Sequence, residues 1–163
     1  MNRPLLVIDG DSFTHRAFHA LPKSVRRQGN RGGGAIVGFA NLLLRLFETE
    51  EPRAVLCGWD ALSSPNFRQR LFPAYQTGRQ FDVELVDQLD LLPELVIACG
   101  FAHAKGAGYE ADDFLAAAVA AEERRHGDRA RRQWRPRCIS TCLIRDDHSV
   151  SDQDWRIGPH WTR

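Results

Sequence analysis

The chain has 163 residues, 43% of them apolar and 26% charged, so it is long enough to bury the core of one globular domain. Its net charge is only +1, so overall charge gives no support for nucleic-acid binding. Such binding would need a local basic patch. Charged residues interrupt the apolar runs, and the N-terminal run meets Asp9 almost at once. We therefore expect no transmembrane helix, no signal peptide and a cytoplasmic location.

The pattern of apolar residues in 1–128 predicts alternating strands and helices. Short apolar runs indicate buried strands, and apolar residues spaced three or four apart indicate helices. In chain order we predict a strand at 5–8, a helix at 36–47, a strand at 54–59, a helix at 83–98, a strand at 101–104 and a helix at 111–125. This order favours an α/β fold in which helices cover both faces of a parallel sheet.

Residues 129–163 differ in composition. They hold 8 of the 22 Lys and Arg, 4 of the 21 Asp and Glu, and 3 of the 4 Trp, with no apolar period of a strand or helix. This composition is typical of a poorly ordered basic tail, although the Arg and Trp side chains could also contact DNA.

Five acidic residues are candidates for a metal site. Asp9 and Asp60 each follow a predicted strand, and ligands of parallel sheets bind at those strand ends. Glu110, Asp112 and Asp113 lie in GYEADDFLA at a predicted helix start. Each acid alone is explained by helix capping or by the helix dipole. Together they would repel one another unless cations such as Mg²⁺ or Mn²⁺ neutralised them.

Basic residues near these acids are candidates for phosphate contacts. Arg16 follows Asp9, and Arg68 and Arg79 follow Asp60. Arginine binds phosphate with two parallel hydrogen bonds, but each of these residues could equally be a solvated surface side chain. The glycine-rich stretch at 29–34 precedes a helix, where backbone amides favour phosphate, or it is a flexible loop.

Three segments together resemble one family. LLVIDGDSFTHRAFHALP, GWDALSSPNFRQRLFPAYQTGR and GYEADDFLA occur in order between residues 4 and 128. They are similar to the 5′-nucleases, which include the N-terminal domain of bacterial DNA polymerase I, phage 5′-exonucleases and flap endonucleases, and most of all to free-standing actinobacterial members. The resemblance implies a PIN-like α/β domain, a parallel sheet flanked by helices, here incomplete at its C-terminus.

The resemblance also implies roles for individual residues. Asp9, Asp60, Glu110, Asp112 and Asp113 match metal-binding acids, and Asp9 and Asp60 would act in catalysis. Arg16 and Arg68 match catalytic basic residues near the scissile phosphate. Arg79 and Gln76 would also contact DNA phosphate, although many relatives have Lys where this chain has Gln76, which puts that contact in doubt.

The implied reaction is hydrolysis of DNA phosphodiester bonds by a 5′→3′ exonuclease or flap-type endonuclease with two ions, Mg²⁺ or Mn²⁺. The implied partner is DNA with a 5′ end, flap or nick; we expect no membrane partner and a monomer. Two alternatives stay open. One is an inactive DNA-binding fragment, and the other is a PIN-like ribonuclease.

The tail departs from the family pattern. The family continues with a strand that ends in a motif such as (T/S)-(A/G)-D-(K/R)-D, which residues 129–163 lack. Codons that can encode residues 133–142, when read one base later, can yield Ser-Gly-Asp-Arg-Asp-Ala-Phe-Gln-Leu, which contains such a motif. We therefore expect a frameshift near codon 128, so that the N-terminal domain spans 1–128 and the tail spans 129–163.

Overall fold

In a computed structural model, the part of the chain that is described comprises residues 3–62, 64–76, 78 and 81–126, with the backbone of two later strands. In chain order the elements are β1 Leu5–Asp9, α1 Gly10–Ala20, β2 Arg26–Arg27, β3 Arg31–Gly32, α2 Gly34–Glu50, β4 Ala54–Trp59, α3 Phe67–Leu71, α4 Val83–Leu89, α5 Leu92–Ala98, β5 Ala102–Lys105, α6 Ala111–His126, β6 Arg135–Cys138 and β7 Thr141–Ile144.

The main sheet has the order β5-β4-β1-β7-β6. Strands β1, β4 and β5 are parallel, with Leu5 paired to Ala54 at the start of β1 and Asp9 to Gly58 at its end. Each parallel strand needs a crossover, and helices supply it between β1 and β4 and between β4 and β5. The predicted α/β fold with a parallel sheet is confirmed.

Helices pack on both faces of this sheet. Leu6 and Ile8 point to one face, where they join the core formed with α1, α2, α4 and α5. Val7, between them, points to the other face and contacts Leu115 of α6. This alternation follows from the two-residue period of a strand. Within the described residues, no helix is long and apolar enough to cross a membrane.

The helix predicted at 83–98 is two helices, and that prediction is wrong in this respect. Helix α4 ends at Leu89 and α5 begins at Leu92, with Pro93 in the first turn of α5. Proline has no amide hydrogen, and its ring collides with the carbonyl four residues earlier, so a continuous helix cannot pass through Pro93.

The glycine-rich stretch at 29–34 supplies the turn and the second strand of a hairpin formed by β2 and β3, and leads into α2. Arg27 and Arg31 of this hairpin both pair with Asp87 of α4. The amide of Ala35, near the start of α2, donates to Oε1 of the buried Gln88 at 2.9 Å. An amide already bound to a side chain cannot also bind a phosphate.

Two strands that the sequence pattern does not predict lie in the tail. Strand β7 pairs antiparallel with β1, from Leu5 opposite Ile144 to Ile8 opposite Thr141. Strand β6 pairs antiparallel with β7. The other residues of 129–163 lie outside the described part, so the poor order of the tail stays a prediction.

Candidate metal and phosphate site

Three chain segments meet at the carboxyl end of the parallel strands. They are the β1–α1 junction, the end of β4 and the start of α6. A β-carbon on Gly10 would collide with the ring of Trp59, and one on Gly58 would lie 2.9 Å from the carbonyl oxygen of Ala111. Only glycine allows such close backbone approaches. These two glycines therefore bring acids from distant parts of the sequence into one region.

Asp9 is both the last residue of β1 and the N-cap of α1. Its Oδ1 accepts the amide of Ser12 at 2.9 Å, and its Oδ2 accepts the hydroxyl of Ser12 at 2.8 Å. The side chain is held in one orientation by these bonds and is 8% exposed. The N-cap bonds therefore fix the Asp9 carboxylate at the carboxyl end of β1.

Asp60 is held through both its side chain and its main chain. Its Oδ1 accepts the amide of Ala111 at the start of α6, at 2.8 Å. Its own amide donates to Oδ2 of Asp11, in the first turn of α1, at 2.7 Å. Asp60 thereby links the three segments that form the site.

A cleft of about 540 Å³ opens over this junction. Four of the five acids predicted from the sequence line it, and Asp11 lines it as well. The lining residues are Asp9, Asp11, Ser12, His15, Arg16, Asp60, Tyr75, Gln76, Phe81, Glu110, Ala111 and Asp112. Acids that lie some fifty residues apart in the sequence are therefore neighbours around one space.

The charge in the cleft is poorly compensated. Burial raises the pKa of Asp9, which the Ser12 hydrogen bonds only partly oppose, and the charge of Asp60 raises it further. Partial burial, followed by the charges of Asp9 and Asp60, raises the pKa of Asp112. Burial, together with Asp60 and Asp9, raises the pKa of Asp11 to about 7. These shifts describe a negative cleft that a cation would stabilise.

Glu110 and Asp113 have a different environment, because both form ion pairs with Arg68. Its Nη1 donates to Oε2 of Glu110 at 2.5 Å, and its Nη2 donates to Oδ1 of Asp113 at 2.7 Å. Burial acts to raise the pKa of Asp113, but the hydrogen bonds from Arg68 and from the Glu110 amide outweigh it and lower that pKa. The five predicted acids thus fall into one group without an ion pair among the described residues and one group paired with Arg68.

The predicted phosphate-contacting residues are partly brought together. Arg16 and Gln76 line the cleft, and Gln76 donates through Nε2 to the hydroxyl of Tyr75 at 3.0 Å. Arg68 lies beside the cleft with Glu110 and Asp113. Arg79 lies outside the described residues.

Asp11 is the residue that sequence reasoning missed. An acid in the first turn of a helix is explained by the helix dipole alone, so its spacing carried no separate signal. The Asp-Gly-Asp sequence directly after a buried strand is the pattern that could have indicated it. Across the described parts of the chain, no three Asp, Glu, His or Cys side chains converge tightly enough to enclose an ion as they stand. The carboxylates line the cleft walls instead, an arrangement that mutual repulsion favours.

Comparison with known proteins identifies the family. Residues 4–130 match the model of the 5′-3′ exonuclease, N-terminal resolvase-like domain. The chain belongs to this 5′-3′ exonuclease family.

Relatives within the family include both exonucleases and polymerases. A 5′-3′ exonuclease of Mycobacterium tuberculosis is 33% identical over 138 residues, which cover 77% of this chain and 43% of the relative. DNA polymerase I of Bacillus subtilis is 35% identical over 114 residues, 69% of this chain and 13% of the relative. The thermostable DNA polymerase I of Thermus aquaticus is 32% identical over 158 residues, 96% of this chain and 18% of the relative. The chain thus spans less than half the length of each.

The fold of this exonuclease-family chain has a solved counterpart. A structure of T5 5′-exonuclease with divalent metal ions (zinc) bound superposes with a TM-score of 0.50 at 18% identity, covering 76% of this chain and 45% of the phage protein. The similarity supports the PIN-like α/β architecture predicted from the sequence.

Proposed function

We propose that this chain is a metal-dependent 5′→3′ exonuclease or flap-type endonuclease that hydrolyses DNA phosphodiester bonds. The observation that carries the proposal is the cleft whose walls include Asp9, Asp60 and Asp112. Among the described residues, none of these three carboxylates forms an ion pair with Lys or Arg, whereas Glu110 and Asp113 do. Family membership supports the same reaction class.

The donor set of the cleft fits a hard cation. All candidate ligands are carboxylate oxygens, which suit Mg²⁺ and Mn²⁺ better than softer metals. Asp9, Asp60 and Asp112 would hold such an ion, and Glu110 and Asp113 would complete the acidic shell. Two such ions, when bound, would supply a nucleophilic water and would stabilise the leaving oxygen in phosphodiester hydrolysis.

The basic and polar residues of the site would orient the DNA. Arg16, in the cleft wall, would hold a phosphate by its guanidinium, and Arg68 would act beside it. Gln76 lies at the same wall and can contact a phosphate only as a neutral donor. We include Arg79 from the family resemblance alone.

The proposal is tested by metal binding and by cleavage. Titration calorimetry with Mn²⁺ should show binding to the wild-type chain and a loss of about tenfold or more in affinity in an Asp112→Asn, Asp113→Asn double variant. The matched control is Asp90→Asn, since Asp90 is an exposed acid at the end of α4. Equal Mn²⁺ affinity in the double variant and wild type would overturn the site assignment.

A 5′-labelled flap DNA, assayed with Mg²⁺ and with Mn²⁺, tests the reaction itself. Release of short 5′ products by wild type but not by the double variant is expected. A second candidate function is that of an inactive DNA-binding fragment. Flap binding without cleavage would select that function. Preferential cleavage of a matched RNA strand would instead indicate a ribonuclease.

A further inference from the structure

The backbone amide of Asp60 lies just beyond the sheet. The pairing of β4 with β1 ends at Gly58, and its pairing with β5 ends at Trp59. The next amide, that of Asp60, therefore has no strand partner in the register on either side. Asp11 supplies the missing acceptor through Oδ2 at 2.7 Å. A side chain from α1 thus continues the hydrogen bonding where the strands stop.

Asp11 is itself placed by the local structure of α1. The N-cap Asp9 fixes the first turn through Ser12, and Gly10 lets that turn lie against Trp59, the residue before Asp60. The contact between Asp11 and Asp60 spans 49 residues of sequence. It is therefore a tertiary contact of the site and not a local helix cap.

The contact bears directly on the direction of the Asp60 carboxylate. That carboxylate uses Oδ1 to accept the amide of Ala111 and lines the cleft. With its main chain held by Asp11 and its side chain held by α6, Asp60 has little freedom to turn away from the cleft. Acceptor groups that lock a functional side chain in this way set the geometry of a site without touching the ligand.

We propose that Asp11 is a positioning residue, whose carboxylate oxygen fixes the main chain at Asp60 and so directs the Asp60 side chain into the cleft. The inference rests on the proposed function, because it assigns Asp60 to cation binding. The proposed role requires an acceptor oxygen at position 11, and it does not require a negative charge there. Asn retains that oxygen, whereas Ala does not.

The test compares Asp11→Asn, Asp11→Ala and the control Asp90→Asn in the full chain. Amide hydrogen exchange by NMR should show the Asp60 amide protected in wild type and in Asp11→Asn, with protection at least about tenfold lower in Asp11→Ala. Mn²⁺ affinity by calorimetry should follow the same order. It should change by less than about threefold in Asp11→Asn and fall by about tenfold or more in Asp11→Ala.

The outcomes separate the inference from the proposed function. Unchanged exchange at Asp60 in Asp11→Ala would overturn the inference, whatever the metal result. Equal losses of Mn²⁺ affinity in both Asp11 variants would also overturn it, because charge and not the acceptor would then matter. The expected exchange pattern in a wild-type chain that binds no Mn²⁺ would establish the Asp11–Asp60 contact and refute the proposed function.

Discussion

Asp60 caps a helix that lies 51 residues away in sequence, since its Oδ1 accepts the amide of Ala111 at 2.8 Å. The first amides of a helix have no partner within the helix, and α6 obtains one from the end of β4. A candidate metal-binding acid therefore also stabilises the fold. The two roles need different features of the side chain: an acceptor oxygen for the cap and a charge for the cation.

Substitution at Asp60 should separate these roles. Asp60→Asn retains an acceptor, so its unfolding free energy should stay near wild type while Mn²⁺ affinity falls. Asp60→Ala should lose Mn²⁺ affinity and also about 1 kcal/mol of unfolding free energy. Urea unfolding and calorimetry measure the two quantities. Wild-type Mn²⁺ affinity in Asp60→Asn would contradict the prediction.

A β-carbon at Gly10 should destabilise the β1–α1 junction. Gly10→Ala would drive a methyl group into the Trp59 ring, and such overpacking lowers unfolding free energy by about 1–3 kcal/mol. Gly106→Ala is the matched control, because its nearest neighbouring atom would lie at an ordinary contact distance of 3.4 Å. Urea unfolding of the two variants is the measurement. Equal midpoints would show that the approach of α1 to Trp59 is not tight.

The stability of the metal-free chain should fall between about pH 4 and pH 7. Burial raises the pKa of Asp11 from 3.8 to about 7, so in this window the folded state binds a proton that the unfolded state has released. The stability that Asp11 contributes is fully present below its pKa in the unfolded state. It is lost as the pH rises through its pKa in the folded state. Thermal melts across this range should show the fall, and a smaller fall in Asp11→Asn.

Below this pH window, Asp113 should have the opposite effect on the stability of the folded chain. Its pKa is lowered in the folded state despite burial, because Arg68 and the Glu110 amide bind its carboxylate. Its contribution is present above the unfolded pKa and lost as the pH falls through the folded one. A melting temperature that does not change with pH, either within the window or below it, would contradict the pKa shifts assigned to Asp11 and Asp113.

Removal of Arg68 should leave two carboxylates without their counter-ion. Arg68→Gln should lower unfolding free energy by about 2 kcal/mol, a typical value for hydrogen bonds to charged groups. Addition of Mn²⁺ should raise the melting temperature of this variant more than that of wild type, since the ion supplies the missing charge. Arg70→Gln, at an exposed position of the same helix, is the control. Identical melts of both variants would refute the role of Arg68.

We propose that the tail is read out of frame, and a frame-restored chain should then cleave 5′-flap DNA far faster than the 163-residue chain. The family resemblance implies the two Asp of a (T/S)-(A/G)-D-(K/R)-D motif and a DNA-gripping helical region, and residues 129–163 contain neither pattern. Either loss could raise the barrier by on the order of 4 kcal/mol. A side-by-side flap assay measures the difference, and the nucleotide sequence at codons 125–135 tests the frame. Comparable turnover would refute this account of the tail.

The sequence predicted the parts of the site that local patterns encode. Asp9 and Asp60 follow apolar runs whose strand character is a local property, and both lie at strand ends. The break at Pro93 was also encoded locally but was outweighed by the apolar periodicity on either side. Asp11 and the pairing of Arg68 with Glu110 and Asp113 depend on contacts across more than 40 residues. No local pattern reports such contacts.

The antiparallel pairing of β7 with β1 has a consequence for solubility. Leu6, Val7 and Ile8 are fully buried, and β7 covers the backbone edge of β1 that faces away from β4. A chain shortened before Thr141 would present the unpaired backbone groups of that edge to other molecules, and such edges template strand pairing between chains. A truncation at residue 128 should therefore aggregate through β1, and a replacement tail must bring a strand of its own to prevent it.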